Sequence, residues 1–339
     1  MADQRVVCAG YTVVDVCVDD STVISHRTGG TAANVASNLA WLGRGQVDLA
    51  VRIGSDPAGR LIQAEMRAFG VGVEHVELDP EVRTPVLIHD VTNAREPRYL
   101  FSCLHCRRPS ASFRPITTDT VREVCSPTPA TFFFDRASAA ALATAELVRA
   151  SGGIVMFEPN GVGREQLTTR AIQIASIVKF SSSCNSRLPV LVDDGPLGQV
   201  QIRTEGAEGL LWRTVGQSWR RRRAHTCAIV DSAGAGDWVT SGFLHFVSTR
   251  GELSTRGIGA ALDFGQAVAA SSCEHIGARG MTAAPANAVR AQLAARGLSS
   301  QTQFDIALPH PGSDVACAMC LSSDPFISER TADLVTTAR

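Results

Sequence analysis

Asp231-Ser232-Ala233-Gly234-Ala235-Gly236-Asp237-Trp238 is the stretch whose reading decides the fold. The apolar run before it, Cys227-Ala228-Ile229-Val230, reads as a buried strand. The run after it, Trp238-Val239-Thr240-Ser241-Gly242-Phe243-Leu244, opens a helix with apolar periodicity. The glycines therefore sit at a strand-to-helix turn. Backbone N–H groups there have no partner inside the helix, and the helix dipole favours negative charge. Glycine lets such a backbone close on an anion without Cβ atoms in the way. Asp237 follows directly. An anion cradle with a carboxylate at its lip suits phosphoryl transfer to a hydroxyl: the carboxylate takes the proton and the N–H groups hold developing charge. A plain glycine turn with Asp as a helix cap reads the same residues equally well. The dinucleotide pattern G-x-G-x-x-G fails because Val239 stands at the third glycine. G-x-x-x-x-G-K-[ST] occurs nowhere in the chain, which argues against a P-loop kinase.

The 339 residues are 45% hydrophobic and 19% charged, enough for a large core in one or two domains. A formal net charge of -1 gives no global field for nucleic acid or membrane, and neither is expected as a partner. No apolar span is long enough to cross a bilayer and no leader pattern follows Met1, so a cytoplasmic protein is the expectation. The 10 cysteines are scattered, mostly in apolar runs such as those of Cys8, Cys17, Cys227 and Cys273, where they act as small hydrophobes. They do not read as a secreted disulfide framework.

Along the chain, strand and helix alternate. Arg5-Val6-Val7-Cys8-Ala9-Gly10 is a first strand, and Asp15 falls just beyond it. Ligands of open α/β sheets bind beyond the carboxyl ends of strands, so Asp15 is a candidate for substrate hydroxyls, or a solvated loop acid. Gly29-Gly30-Thr31-Ala32-Ala33-Asn34 opens a small-residue helix that stops at Gly43, and Asn34 lies in its first turn. Strands are expected at 46–53, 84–90, 98–103, 132–134, 153–157, 174–180 and 200–204. Helices are expected from Pro57 to Gly70, after the Phe132-Phe133-Phe134 strand, and over 257–272. This order argues an α/β fold with a mostly parallel central sheet covered by helices on both faces. Residues 299–339 change character and read as an appended C-terminal tail.

Two motifs can now be read together. Gly29-Gly30-Thr31-Ala32-Ala33-Asn34-Val35-Ala36, ending in Trp41-Leu42-Gly43, resembles the N-terminal signature of the ribokinase-like (PfkB) carbohydrate kinase family. Asp231 to Asp237 resembles its C-terminal signature. Ile53-Gly54-Ser55-Asp56, Thr84-Pro85, Glu158-Pro159-Asn160 and Thr204-Glu205-Gly206-Ala207-Glu208-Gly209 fall in order between them. The resemblance implies a three-layer sandwich over residues 1–298, with a small β lid drawn from 13–28 and 84–102. It implies an ATP-dependent kinase acting on a hydroxyl of a sugar, sugar derivative or nucleoside, with Asp237 as general base. Gly234, Ala235 and Gly236 would form the anion hole with it. Asp15, Gly29, Gly30 and Asn34 resemble the sugar contacts, and Thr204, Gly206 and Gly209 the nucleotide contacts. Asp231, with the backbone near Gly277-Ala278, resembles a monovalent-cation site, for which K+ is the expected ion. A homodimer is an assembly the family also allows.

The sequence departs from the family at Lys179-Phe180-Ser181-Ser182-Ser183-Cys184, where members usually carry Asn-x-x-Glu to orient Mg2+ and its waters. Glu158 is the candidate substitute, and a non-catalytic sugar- or nucleotide-binding relative is the alternative reading. Elsewhere, Cys103, Cys106, Cys317 and Cys320 form two C-x-x-C pairs that would suit one zinc if the tail folded back; unpaired thiols are the plainer account. Arg220-Arg221-Arg222-Arg223 reads as a solvated turn rather than a nucleic-acid contact. Asp135-Arg136 reads either as a local ion pair or as a contact to substrate phosphate or carboxylate.

Overall fold

The chain opens with β1 (Val6–Ala9), β2 (Val13–Asp19), β3 (Thr22–Gly29), α1 (Thr31–Trp41) and β4 (Val47–Gly54) in a computed structural model. The structure describes residues 4–20, 22–92, 98–103, 107–160, 163–183, 187–250 and 253–296. Next come α2 (Pro57–Ala68), β5 (Val76–Asp79), β6 (Val86–Asp90) and β7 (Arg98–Leu100). The alternation continues through α3 (Thr118–Val124), β8 (Thr131–Phe134), α4 (Ala139–Ala150), β9 (Ile154–Phe157), α5 (Glu165–Ile174), β10 (Ile177–Ser181) and α6 (Arg187–Asp193). It closes with β11 (Val200–Thr204), β12 (Leu210–Thr214), β13 (Arg220–Arg222), α7 (Ala235–Arg250), α8 (Thr255–Ser272), α9 (Gly280–Ala283) and α10 (Ala286–Ala295).

The strands sort into two sheets. The large one has nine strands in the order β13-β12-β11-β10-β9-β8-β1-β4-β5, and the small one runs β3-β2-β6-β7. Within the large sheet β5, β4, β1, β8, β9, β10 and β11 run parallel, while β12 and β13 add antiparallel at one edge. Parallel strands need helical crossovers that cover both faces, and the core divides accordingly. Alternate residues of one strand enter different cores: Val6, Cys8 and Phe133 join one cluster with α1 and α7, while Val7, Ala9, Phe132 and Phe134 join the other with α4 and α5. Phe132, Phe134 and Phe157 stack in that second core at centroid distances of 5.3 and 4.7 Å. A mostly parallel sheet with helices on both faces is the ribokinase-like arrangement the motifs imply.

Three local readings are corrected. Cys227 to Val230 is not a buried strand: no strand forms there, and Ile229 is 63% exposed. The segment is held by its backbone instead, with the N–H groups of Val230 and Asp231 donating to Cys273 O at 2.8 and 3.1 Å. An apolar run alone does not make a strand where no neighbouring strand edge is available. Arg220 to Arg222 is not a turn but the edge strand β13, a place where exposed charge discourages further pairing. The helix after the glycine loop starts at Ala235, so Asp237 lies within its first turn rather than ahead of it.

Helix α7, which carries that loop, is seated against α8 through two glycines. A Cβ on Gly242 would stand 2.6 Å from Gly265 Cα, and one on Gly265 would stand 2.6 Å from Val239 O. Both obstacles are backbone, so neither can rotate away. Gly242→Ala is therefore expected to lower unfolding free energy by about 1–3 kcal/mol in urea denaturation. Wild-type stability in that variant contradicts the close helix contact.

Candidate active site

Two helix N-termini face each other across the carboxyl end of the large sheet. Helix α1 begins after Gly29-Gly30, and α7 after Ala233-Gly234. Gly30 has φ +83, and a Cβ there would lie 2.4 Å from Tyr11 O. A Cβ on Gly29 would lie 2.0 Å from an Asp15 carboxylate oxygen. Gly234 has φ +72 and sits 2.5 Å, by the same measure, from Ala278 Cβ. These glycines let loops from β2, α1 and α7 converge on one space. Gly236 is different: a Cβ there would meet only Lys179 Nζ, at 3.7 Å, so its backbone faces open room. The N–H groups of Gly236 and Asp237 belong to the first helical turn, where the helix supplies no carbonyl partner. Trp238 fixes the turn from behind, donating from Nε1 to Ala278 O at 3.0 Å and meeting Trp41 edge-on at 5.3 Å.

Asn34 Nδ2 donates to Asp237 Oδ2 at 2.7 Å. That bond joins residues from opposite ends of the chain inside a cavity of about 1010 Å3. Asp15, Gly30, Asn34, Gly234 and Asp237 all line it, so the structure brings these sequence-expected residues together. Gly29 adjoins it through Asp15. Leu87, His89, Tyr99 and Phe101, from the small sheet and the residue after β7, line its other side. Asp15 Oδ1 is buried and has no hydrogen-bond partner.

Burial dominates the electrostatics. It pushes the Asp237 carboxyl up to about 7, aided by the Glu158 charge and opposed by the Asn34 hydrogen bond and by Lys179. Burial likewise pushes Asp15 up to about 7, with Arg279 opposing and Glu65 assisting. Below the loop, Lys179 pairs with Glu158 Oε1, and Thr240 donates to Glu158 Oε2 at 2.5 Å. Both oxygens of Glu158 are thus engaged inside the protein. With Ser181, Ser182 and Ser183 offering only hydroxyls, the described residues present no free carboxylate suited to Mg2+ at this place. Among the described residues, no group of three His, Cys, Asp or Glu side chains is arranged to hold a metal. Asp231 Oδ1 accepts from Ala233 N at 2.9 Å and Oδ2 from Gly277 N at 2.8 Å, tying the glycine loop to the turn before α9.

Thr204, Gly206 and Gly209 lie outside this cavity: Thr204 is the last residue of β11, and Gly206 and Gly209 follow it. Thr204 pairs with Ser181 in register, and a Cβ on Gly206 would meet nothing within 4 Å. Cys103 is buried; Cys106, Cys317 and Cys320 fall outside the described residues, as does the expected tail at 299–339. Arg136 lines the cavity while Nη1 donates to Asp135 Oδ2 at 2.7 Å, so the ion-pair and site readings both apply. Reasoning from sequence missed Arg27, Glu65, His89 and Arg279. Only Arg279 carried a signal, since it follows the Gly277-Ala278 turn already singled out.

The model of the pfkB family carbohydrate kinases matches residues 3–105 and 181–285. A fructokinase of Escherichia coli is 29% identical over 273 residues, covering 73% of this chain and 85% of that protein. A fructokinase of Vibrio alginolyticus is 27% identical over 271 residues, covering 72% and 84%. Among solved structures, the aminoimidazole riboside kinase of Salmonella enterica, complexed with aminoimidazole riboside and an ATP analogue, matches with a TM-score of 0.67 at 25% identity, covering 85% of this chain and 99% of that one. A fructokinase double mutant from Vibrio cholerae O395, bound to fructose, ADP and potassium ion, matches with a TM-score of 0.66 at 24% identity, covering 86% and 100%.

The carboxyls of the cavity set a stability profile. Folded Asp15 and Asp237 keep a proton up to about 7, whereas the unfolded chain releases it near the ordinary value of 3.8. Their contribution is complete below that ordinary value and is lost as pH rises through about 7. Thermal melts of the ligand-free protein should show Tm falling over this window, less steeply in Asp237→Asn. A Tm that climbs across the window contradicts the burial of these groups.

Proposed function

This chain belongs to the pfkB family of carbohydrate kinases, and we propose that it moves the γ-phosphoryl group of ATP to a hydroxyl of a sugar with Asp237 as the general base. The observation that carries this reading is the single cavity in which Asp237 meets Asn34 at a helix N-terminus. Asn34 occupies Asp237 Oδ2, which leaves Oδ1 for the acceptor. Asp15 receives a second hydroxyl and orients the sugar. Asp237 takes the proton as the acceptor oxygen bonds to phosphorus, and the bond from phosphorus to the ADP oxygen breaks. ATP supplies the phosphoryl group. The N–H groups of Gly236 and Asp237, with the dipole of α7, meet the charge on its oxygens. Lid residues Tyr99 and Phe101 keep water, a competing acceptor, out of the cavity.

Thr204, Gly206 and Gly209 fit the nucleotide's remaining phosphates and sugar by position at the strand ends. Asp231 fits a monovalent cation such as K+, because a carboxylate held by two N–H groups keeps lone pairs for an ion beside the anion loop. The relatives named above act on or bind fructose and a riboside, which supports a small sugar-like acceptor. A second reading, binding without catalysis, is favoured by one observation: Glu158, the candidate substitute for the missing Asn-x-x-Glu acid, has both oxygens engaged by Lys179 and Thr240.

Asp237→Asn separates the two. Phosphoryl transfer from ATP should drop by roughly a hundred- to ten-thousand-fold while acceptor binding by calorimetry persists. Wild-type kcat should rise with pH to a plateau above about 7. Undiminished turnover in the variant removes Asp237 as the base, and acceptor binding by a wild-type protein with no turnover establishes the second reading.

A further inference from the structure

Arg279 lines the same cavity and is 6% exposed. Its guanidinium lies over the Phe69 ring at 5.2 Å. Nε donates to Asn34 Oδ1 at 3.4 Å, a long bond. Nη1 and Nη2 are buried and have no hydrogen-bond partner. The nearest acid, Glu65, stands 4.0 Å from Nη1. It cannot fully serve Arg279, because its Oε2 already accepts from Thr28 N at 2.5 Å and its Oε1 from Arg27 Nη1 at 3.2 Å. The cavity therefore holds two complementary unmet groups: a donor fork on Arg279 and the acceptor oxygen Asp15 Oδ1.

A buried guanidinium is stable only with a negative or strongly accepting partner. Its planar pair of N–H groups matches the two oxygens of a carboxylate. Asp15 does not supply that charge fully, since burial holds its proton up to about 7. A phosphate dianion fits less well. The other cavity arginines, Arg27 and Arg136, are committed to Glu65 and Asp135, so no second guanidinium is at hand for its further charge. We propose that the acceptor is a sugar acid, its carboxylate held by the Arg279 fork beside a hydroxyl held by Asp15. This rests on the kinase reading above and sharpens its substrate class. The reaction is unchanged: the new O–P bond forms at a hydroxyl elsewhere on the acid, ADP leaves, and the proton passes to Asp237.

The test uses a matched pair. D-fructose and 2-keto-D-gluconate differ only in a carboxylate replacing the C1 alcohol, and D-fructose 1-phosphate serves as a third probe. Turnover with ATP and calorimetric binding are measured for all three on the full chain. The expected result is a kcat/KM at least about tenfold higher for the keto acid than for fructose. Arg279→Met should erase that preference and Arg279→Lys should keep part of it. Fructose equal to or better than the acid, a preference for fructose 1-phosphate, or an Arg279→Met loss shared evenly by both sugars overturns the proposal; the last outcome makes Arg279 a counter-ion for Glu65 alone. If ATP is consumed with none of them, calorimetry decides. Tighter binding of the acid than of fructose upholds the proposal while the kinase reading fails, and no binding of the acid overturns it. Should the Met variant fail to fold, the wild-type preference between acid and fructose still upholds or overturns the proposal.

Discussion

The hydrogen bond from Asn34 Nδ2 to Asp237 Oδ2 is the constraint on which the rest of this molecule depends. It requires the N-termini of α1 and α7 to meet, although 203 positions separate the two residues. The large sheet makes that meeting feasible: parallel strands put all their carboxyl ends on one side, and helices that follow those ends begin there. The glycines then remove the side chains that would hold the loops apart. Gly30 yields to Tyr11 O, Gly29 to Asp15 and Gly234 to Ala278. Sequence, packing and chemistry meet at these three positions.

The electrostatic design follows from the same closeness. Asp237 lines the cavity near Glu158, and desolvation with the Glu158 charge holds its carboxyl up toward 7, where a base is most useful at neutral pH. Lys179 and Asn34 oppose that shift and keep it from going further. Lys179 lies on β10 between Val178 and Phe180, buried, with its charge balanced by Glu158 across the strand ends. A buried pair of this kind contributes little net stability by itself, but it fixes the local field at the loop above it.

Much of this was legible in the sequence, and the exceptions have physical causes. The glycine loop and Asn34 could be found because they occupy first helical turns, which local patterns mark; Asp15 was singled out as lying just past β1, although it is an interior residue of β2. The lid strands at 13–19 and 86–90 could be found from β-branched runs. The run 227–230 misled because apolar residues mark burial partners only when a strand edge is present to pair them. The arginine run at 220–222 misled the other way, since an edge strand tolerates charge. Glu65 and Arg279 were invisible for a different reason. They lie on α2 and just ahead of α9, and only tertiary packing brings Arg279 to the cavity wall with Glu65 beside it. Glu158 was seen, but its engagement with Lys179 and Thr240 could not be, because it depends on three separate elements meeting.

The most direct test is a crystal structure with D-fructose or its C1 acid and a non-hydrolysable ATP analogue bound together. The account predicts an acceptor hydroxyl within about 2.6–3.2 Å of an Asp237 oxygen, with the terminal phosphate at the N–H groups of Gly236 and Asp237. A hydroxyl held only by Asp15, with Asp237 facing away from the phosphate, contradicts it.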